Sequence, residues 1–242
     1  MRGIVFLVCT ALAAACSPAS PEPRPPRSSP SFSPVSGCPN EAAAVADESL
    51  ATGNPGSGDV DGDGTADSVS VRFDPEGEPG CQAFVVAESE DGLLAGALET
   101  WRSDFGLPAP TLSTLQEMDG DPGMEIVVNM GAGASAQFVG IVKASAGALE
   151  QVVPDAGDNA VGEGLLGFGG SVGHLEAVDC FDGGIVSSFA APDGRSYRVE
   201  RRFLVFEGTR LVEDRVEVER TPLEEIERFP EYRASPFGSC SG

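Results

Sequence analysis

The chain has 242 residues and a formal net charge of −23, from 15 basic and 38 acidic side chains. Such a surface repels nucleic acid and anionic lipid headgroups, so we expect no nucleic-acid partner, and it favours divalent cations. About 205 residues follow a Pro- and Ser-rich segment, which is enough for one sizeable core. We therefore predict a single domain over residues 37–242.

The first residues have the pattern of an export signal. Arg2 precedes an apolar run of about eleven residues, too short to span about 30 Å of hydrocarbon, and three alanines then precede Cys16. Residues 12–16 resemble the bacterial lipobox, in which the cysteine is acylated and becomes the new N terminus. The resemblance implies a signal peptide over residues 1–15 and attachment to the outer side of the cell membrane. An ordinary secretory signal cut near Ala15 is the alternative.

Residues 16–36 are rich in Pro and Ser, cannot bury a core, and predict an extended tether between the lipid and the domain.

Four cysteines follow the signal region, Cys38, Cys81, Cys180 and Cys240. They form no CxxC pair and the chain has one histidine, so zinc or redox chemistry is not expected. An even number in an oxidising compartment predicts two disulfides. Of the three pairings, we prefer Cys38 with Cys81 and Cys180 with Cys240, because each joins a chain terminus to the body of the fold.

The segment with the clearest chemistry, residues 59–67, reads DVDGDGTAD. Calcium binds six to eight oxygens, and a tightly wound loop with carboxylates at alternate positions supplies them. We predict the side chains of Asp59, Asp61, Asp63 and Asp67 and the carbonyl of Thr65 as ligands.

An EF-hand is excluded, because its loop needs an acid at position 12, where this chain has Ser70, and a helix beyond it. Residues 68–73 instead alternate as a strand does. A nine-residue acidic loop that leads into a strand resembles the calcium loop of FG-GAP or VCBS repeats, the units of integrin α-chain propellers. A polar Asp-Gly turn without metal is the alternative.

A second loop of the same form begins 58 residues later, with acids at Glu117, Asp119, Asp121 and Glu125. Pro122 stands where the turn favours Gly, so metal binding and a metal-free turn both stay open here. Residues 178–186 are a weaker third copy, which we expect to be structural only.

The spacing of the loops predicts an internal repeat of about 58 to 60 residues, each unit a loop followed by antiparallel strands. The predicted fold is all-β, a propeller-like array of about three blade units, open or incomplete, with short helices at 39–48 and from Thr221 to Phe229. The predicted strands lie at 68–73, 82–88, 93–101, 126–130, 137–143, 148–153, 197–206 and 210–218.

Three other signals are set aside. Residues 131–136 mimic a dinucleotide-binding fingerprint but lead into a strand, so we expect a turn. The glycine-rich residues 162–173 lack the Lys and Ser or Thr of a phosphate loop. His174 is the only histidine, and a packed or surface role is expected for it.

These features predict a membrane-anchored β-repeat lipoprotein that uses calcium structurally and no catalytic group. Its expected role is binding or adhesion in the cell envelope, with a protein or a cell-wall glycan as partner. The alternatives are an exported hydrolase that uses loop carboxylates and a purely structural envelope protein.

Overall fold

The computed structural model of the protein describes residues 36–90, 92–99, 101, 108–155, 164–171, 173–233 and 235–240. The predicted signal peptide, Cys16 and residues 17–35 of the tether lie outside these ranges. Within the described ranges, no helix has both the length and the apolar character needed to cross a membrane.

The described elements are one short α-helix, thirteen strands and three 3-10 turns. In chain order they are α1 (Glu41–Ala46), a 3-10 turn (Glu48–Leu50), β1 (Ala51–Gly58), β2 (Asp67–Phe73), β3 (Ala83–Glu88), β4 (Leu93–Ala97), β5 (Thr111–Gln116), β6 (Glu125–Ala132), β7 (Ala136–Ser145), β8 (Ala148–Pro154), β9 (Leu166–Ser171), β10 (His174–Phe181), β11 (Gly184–Asp193), β12 (Ser196–Glu207), β13 (Arg210–Thr221), and 3-10 turns at Leu223–Arg228 and Pro230–Tyr232.

The strands form two sheets. The first is a four-stranded antiparallel meander in the order β1-β2-β3-β4. The second has the order β5-β6-β7-β8-β13-β12-β11-β10-β9, and β7 also pairs with β9. That extra pairing closes seven strands, β7 to β13, into a barrel, while β5 and β6 continue the sheet beyond β7.

The predicted propeller of FG-GAP or VCBS repeats is wrong. The first two loops each lie between the first and second strands of a four-stranded meander, β1 to β4 and β5 to β8, but the second meander does not form a separate blade. Its last strand pairs in parallel with β13 through Leu211, and β7 pairs with β9. These hydrogen bonds join the second unit to the rest of the chain and close a barrel instead.

The strand β6 separates two apolar cores. Ile126 and Val128 point towards the four-stranded sheet and pack with residues of β2 and β3, such as Val69 and Val85. Val127 points the other way, into a cluster to which all seven barrel strands contribute. Side chains therefore fill the barrel. On their other face, β7 and β8 pack against the four-stranded sheet through Val142 and Leu149.

Both disulfides have the pairing that we preferred. Cys38 bonds to Cys81 and Cys180 bonds to Cys240, with Cα atoms 5.5 Å and 4.9 Å apart. The second bond holds the C-terminal segment, and the buried ring of Phe237 in that segment packs on the barrel cluster.

All eight predicted strands are present. The strand β4 ends at Ala97, four residues before the predicted end at 101, and the other seven differ by at most three residues at either end. The helix α1 lies within the helix predicted at 39–48. The helix predicted from Thr221 is a 3-10 turn that starts at Leu223. Thr221 does not cap it, because this residue still belongs to β13, where it is fully buried.

Gly96 allows the four-stranded sheet to approach the barrel. It is buried on β4, and a Cβ at this position would overlap the backbone carbonyl of Leu149 on β8. We expect Gly96→Ala to lower the free energy of unfolding by about 3 kcal/mol or more, because backbone has to move. Gly133→Ala is the control, since its Cβ would meet the Phe138 ring at an ordinary 3.5 Å. Equal stability of the two variants in urea unfolding would contradict this packing.

Candidate metal centre

The two acidic loops lie side by side. Their backbones are joined by a hydrogen bond from the Met124 amide to the Asp59 carbonyl, 2.7 Å long. Gly62 adopts φ +79°, and a Cβ there would lie 2.8 Å from the Cβ of Pro122. Pro122, the residue that departs from the loop pattern, therefore stands where the second loop contacts the first.

Short hydrogen bonds within the first loop wind it around its carboxylates. The two oxygens of Asp59 accept from the amides of Gly62 and Gly64, each at 2.8 Å. Asp61 Oδ1 accepts from the Asp63 amide at 3.2 Å. Both glycines have positive φ, which an L side chain rarely adopts, so the sequence DGDG permits this tight path.

Three carboxylates of the loop converge. One oxygen from each of Asp59, Asp61 and Asp67 lies within 4.8 Å of the other two. Asp63 does not belong to this group; it is exposed, and its Oδ1 accepts from the Thr65 amide at 2.6 Å. The structure thus brings together three of the four predicted side-chain ligands.

Asp67 is the unusual member of this group. It is 1% exposed, and its Oδ2 accepts from the buried Val60 amide at 2.8 Å. Its Oδ1 is buried without a hydrogen-bond partner. Burial raises the pKa of the Asp67 carboxyl, the bond from Val60 opposes that change, and the nearby acids Asp61, Asp63 and Asp59 raise it further.

The residues present therefore fit a small divalent cation. A buried carboxylate oxygen without a partner is costly, and a metal ion removes that cost together with the repulsion among the acids. Hard oxygen donors on a flexible loop are the set that calcium prefers. Asp59, Asp61 and Asp67 would hold the ion.

The second loop contains a cation of its own. The Lys143 ammonium, on β7, contacts Asp119 and lies 3.1 Å from Asp121 Oδ2 and 3.9 Å from Glu125 Oε1. Glu117, a predicted ligand, is exposed at the start of the loop. Three of the four predicted acids thus surround a lysine.

Glu125 takes the place that Asp67 has in the first loop. Its Oε2 accepts from the Met118 amide at 2.8 Å, and the residue is 1% exposed. Burial and, next, the charge of Asp119 raise the pKa of Glu125 to about 7, although Lys143 opposes them.

The residues of the third copy lie on a hairpin of the barrel. Its residues form the end of β10, a two-residue turn at Asp182 and Gly183, and the start of β11. The buried Asp179 accepts from the amide and the hydroxyl of Ser239, at 2.8 and 2.7 Å, and so ties the C-terminal segment to the barrel.

The segments set aside have ordinary structural roles. Residues 133–135 turn between β6 and β7. His174 is half-buried, lies 3.9 Å from Glu176 Oε1 and stacks on Phe189. Residues 162 and 163 and residue 172 of the glycine-rich segment lie outside the described residues.

Sequence reasoning missed Lys143. The only signal was that this residue is the sole lysine of the chain and interrupts an apolar strand. Which loop it would approach depends on strand register, which the sequence pattern leaves open.

No family model matches this chain, and the comparisons with curated proteins and with solved structures also found no match. The resemblance of the loops to calcium-binding repeats therefore stays a prediction from sequence.

Two substitutions of Asp67 distinguish its role as the acceptor of the Val60 amide from the effect of its negative charge. In the presence of a chelator, Asp67→Ala should lower the free energy of unfolding by about 1 to 3 kcal/mol, because the Val60 amide loses its buried acceptor. Asp67→Asn keeps an acceptor and removes a negative charge from the group, so it should be at least as stable as the parent. Urea unfolding measures both, and an equal loss in the two variants would contradict this division of roles.

Proposed function

We propose that the protein is a calcium-stabilised β domain of the cell envelope, carried outside the cytoplasmic membrane on a lipidated Cys16. The observation that carries the proposal is the first loop. It combines three converging carboxylates with the buried, unpartnered Oδ1 of Asp67.

Charge supports the calcium site. Within the described part of the chain, no Arg or Lys forms an ion pair with any of the four loop acids. A cation that joins Asp59, Asp61 and Asp67 links the end of β1 to the start of β2. Because the first loop contacts the second, the ion also stabilises the junction between the two sheets.

The compartment is supported by two independent features. The lipobox-like residues 12–16 predict export and acylation. Both disulfides join positions far apart in the chain, and such bonds persist in oxidising compartments outside the cytoplasm. Calcium is also far more abundant outside the cell than in the cytosol, so a loop of modest affinity binds calcium there.

The role that we propose is binding, with a protein or a cell-wall glycan as partner, and calcium acts as a structural ion. It lies in a loop between two strands, and Asp59 and Asp61 also accept hydrogen bonds from backbone amides of that loop. This arrangement favours a scaffold over the hydrolase alternative.

Calcium should raise the melting temperature of the protein. At a free concentration about ten times the dissociation constant, it stabilises by about 1.4 kcal/mol, or about 3 to 6 °C for a domain of this size. Magnesium at the same concentration should have a smaller effect, because it requires octahedral geometry and keeps its waters.

Asp61→Asn should abolish the calcium effect, whereas Asp214→Asn, which removes an exposed acid paired with Arg215 on β13, should leave it unchanged. An identical melting curve of the parent with and without calcium would disprove the site.

Cys16→Ser should move the protein from the membrane fraction to the soluble fraction of the cells that express it, because the acyl chains are lost. Mass spectrometry of the parent N terminus is the direct measurement. An unmodified cysteine there would refute the anchor without affecting the calcium site.

A further inference from the structure

The two loops share one arrangement of hydrogen bonds around their last carboxylate. The Val60 amide donates to Asp67 Oδ2, and the Met118 amide donates to Glu125 Oε2, each with a donor–acceptor distance of 2.8 Å. Both acids are 1% exposed, and the other oxygen of each is buried without a hydrogen-bond partner. A positive charge in the interior of each loop would remove the cost of this buried carboxylate oxygen.

The loops differ in the residue opposite this carboxylate on the neighbouring strand. Ile126 of β6 lies opposite Val142 of β7, so the antiparallel register extended by one residue places Lys143 opposite Glu125. In the first unit Ser68 of β2 lies opposite Glu88 of β3, and the same extension places Ser89 opposite Asp67. The Ser89 hydroxyl bonds to the Gly92 carbonyl. One loop thus has an ammonium at this place, and the other has a short neutral side chain.

The surroundings of Lys143 are those of a bound cation. The side chain is 14% exposed, and Asp119, Asp121 and Glu125 lie around its ammonium. A lysine ammonium is a compact point charge with three donors, so it can serve three carboxylates as a small cation does. Its burial is tolerated because opposite charges surround it.

We propose that the Lys143 ammonium is the built-in cation of the second loop, in the place that a divalent ion takes in the first. The comparison with the first loop rests on the calcium site proposed above, but the role of Lys143 in its own loop does not. The chain then binds one calcium ion. Replacing the lysine with a neutral residue opens a second calcium site, formed by Asp119, Asp121 and Glu125.

Calorimetric titration of the full chain with calcium chloride tests this inference by counting ions. We expect one ion on the parent, two on Lys143→Met, and one on Lys143→Arg, which keeps the charge. On Asp61→Ala we expect none, and on the double variant Asp61→Ala/Lys143→Met we expect one.

The counts distinguish this inference from the proposed function. If the parent binds no ion and Lys143→Met binds one, the first-loop site fails and the role of Lys143 is supported. Two ions on the parent, or no additional ion on Lys143→Met relative to the parent, would overturn the inference.

A second neutral variant guards against a failure of Lys143→Met to fold. Lys143→Ser installs the residue that the first loop has at this place, and circular dichroism at saturating calcium reports its folding. A folded Lys143→Ser with one more ion than the parent supports the inference. If neither neutral variant folds at any calcium concentration, calcium does not replace the ammonium and the inference is wrong.

Discussion

A buried carboxylate with only one of its oxygens satisfied is the constraint on which the loop region depends. Asp67 and Glu125 each use one oxygen to hold a buried backbone amide, which fixes the path of the loop. The second oxygen then lies in the interior, where a negative charge is costly without a counter-charge. In one loop Lys143 lies 3.9 Å from this oxygen, and in the other the Asp67 carboxylate converges with those of Asp59 and Asp61.

Contacts between the two loops also join the four-stranded sheet to the larger sheet. The bond from Met124 to Asp59 and the contact of Pro122 with Gly62 join them, so the position of one loop limits the other. Beneath them, β2 and β3 pack on β6 across a shared core. A cation in the first loop would thus stabilise a junction between sheets as well as a turn.

Local pattern predicted eight of the thirteen described strands and the first loop, because alternation and acid spacing depend on neighbours in sequence. It did not predict the barrel, since the β7–β9 and β8–β13 pairings join distant segments that leave no local signal. Five strands were missed, β1, β5, β9, β10 and β11, and the first of them has the sequence ATGNPGSG, which lacks apolar alternation. Asp63 looked equivalent to its neighbours by spacing alone, whereas its position outside the converging group depends on how the loop is wound.

A crystal structure of the protein grown with calcium, with anomalous scattering used to locate the ion, tests the division of labour between the two loops most directly. The expected result is one anomalous peak about 2.3 to 2.6 Å from carboxylate oxygens of Asp59, Asp61 and Asp67, with the Lys143 ammonium still among its acids. A first loop without a peak at saturating calcium, or a peak beside Lys143, would contradict it.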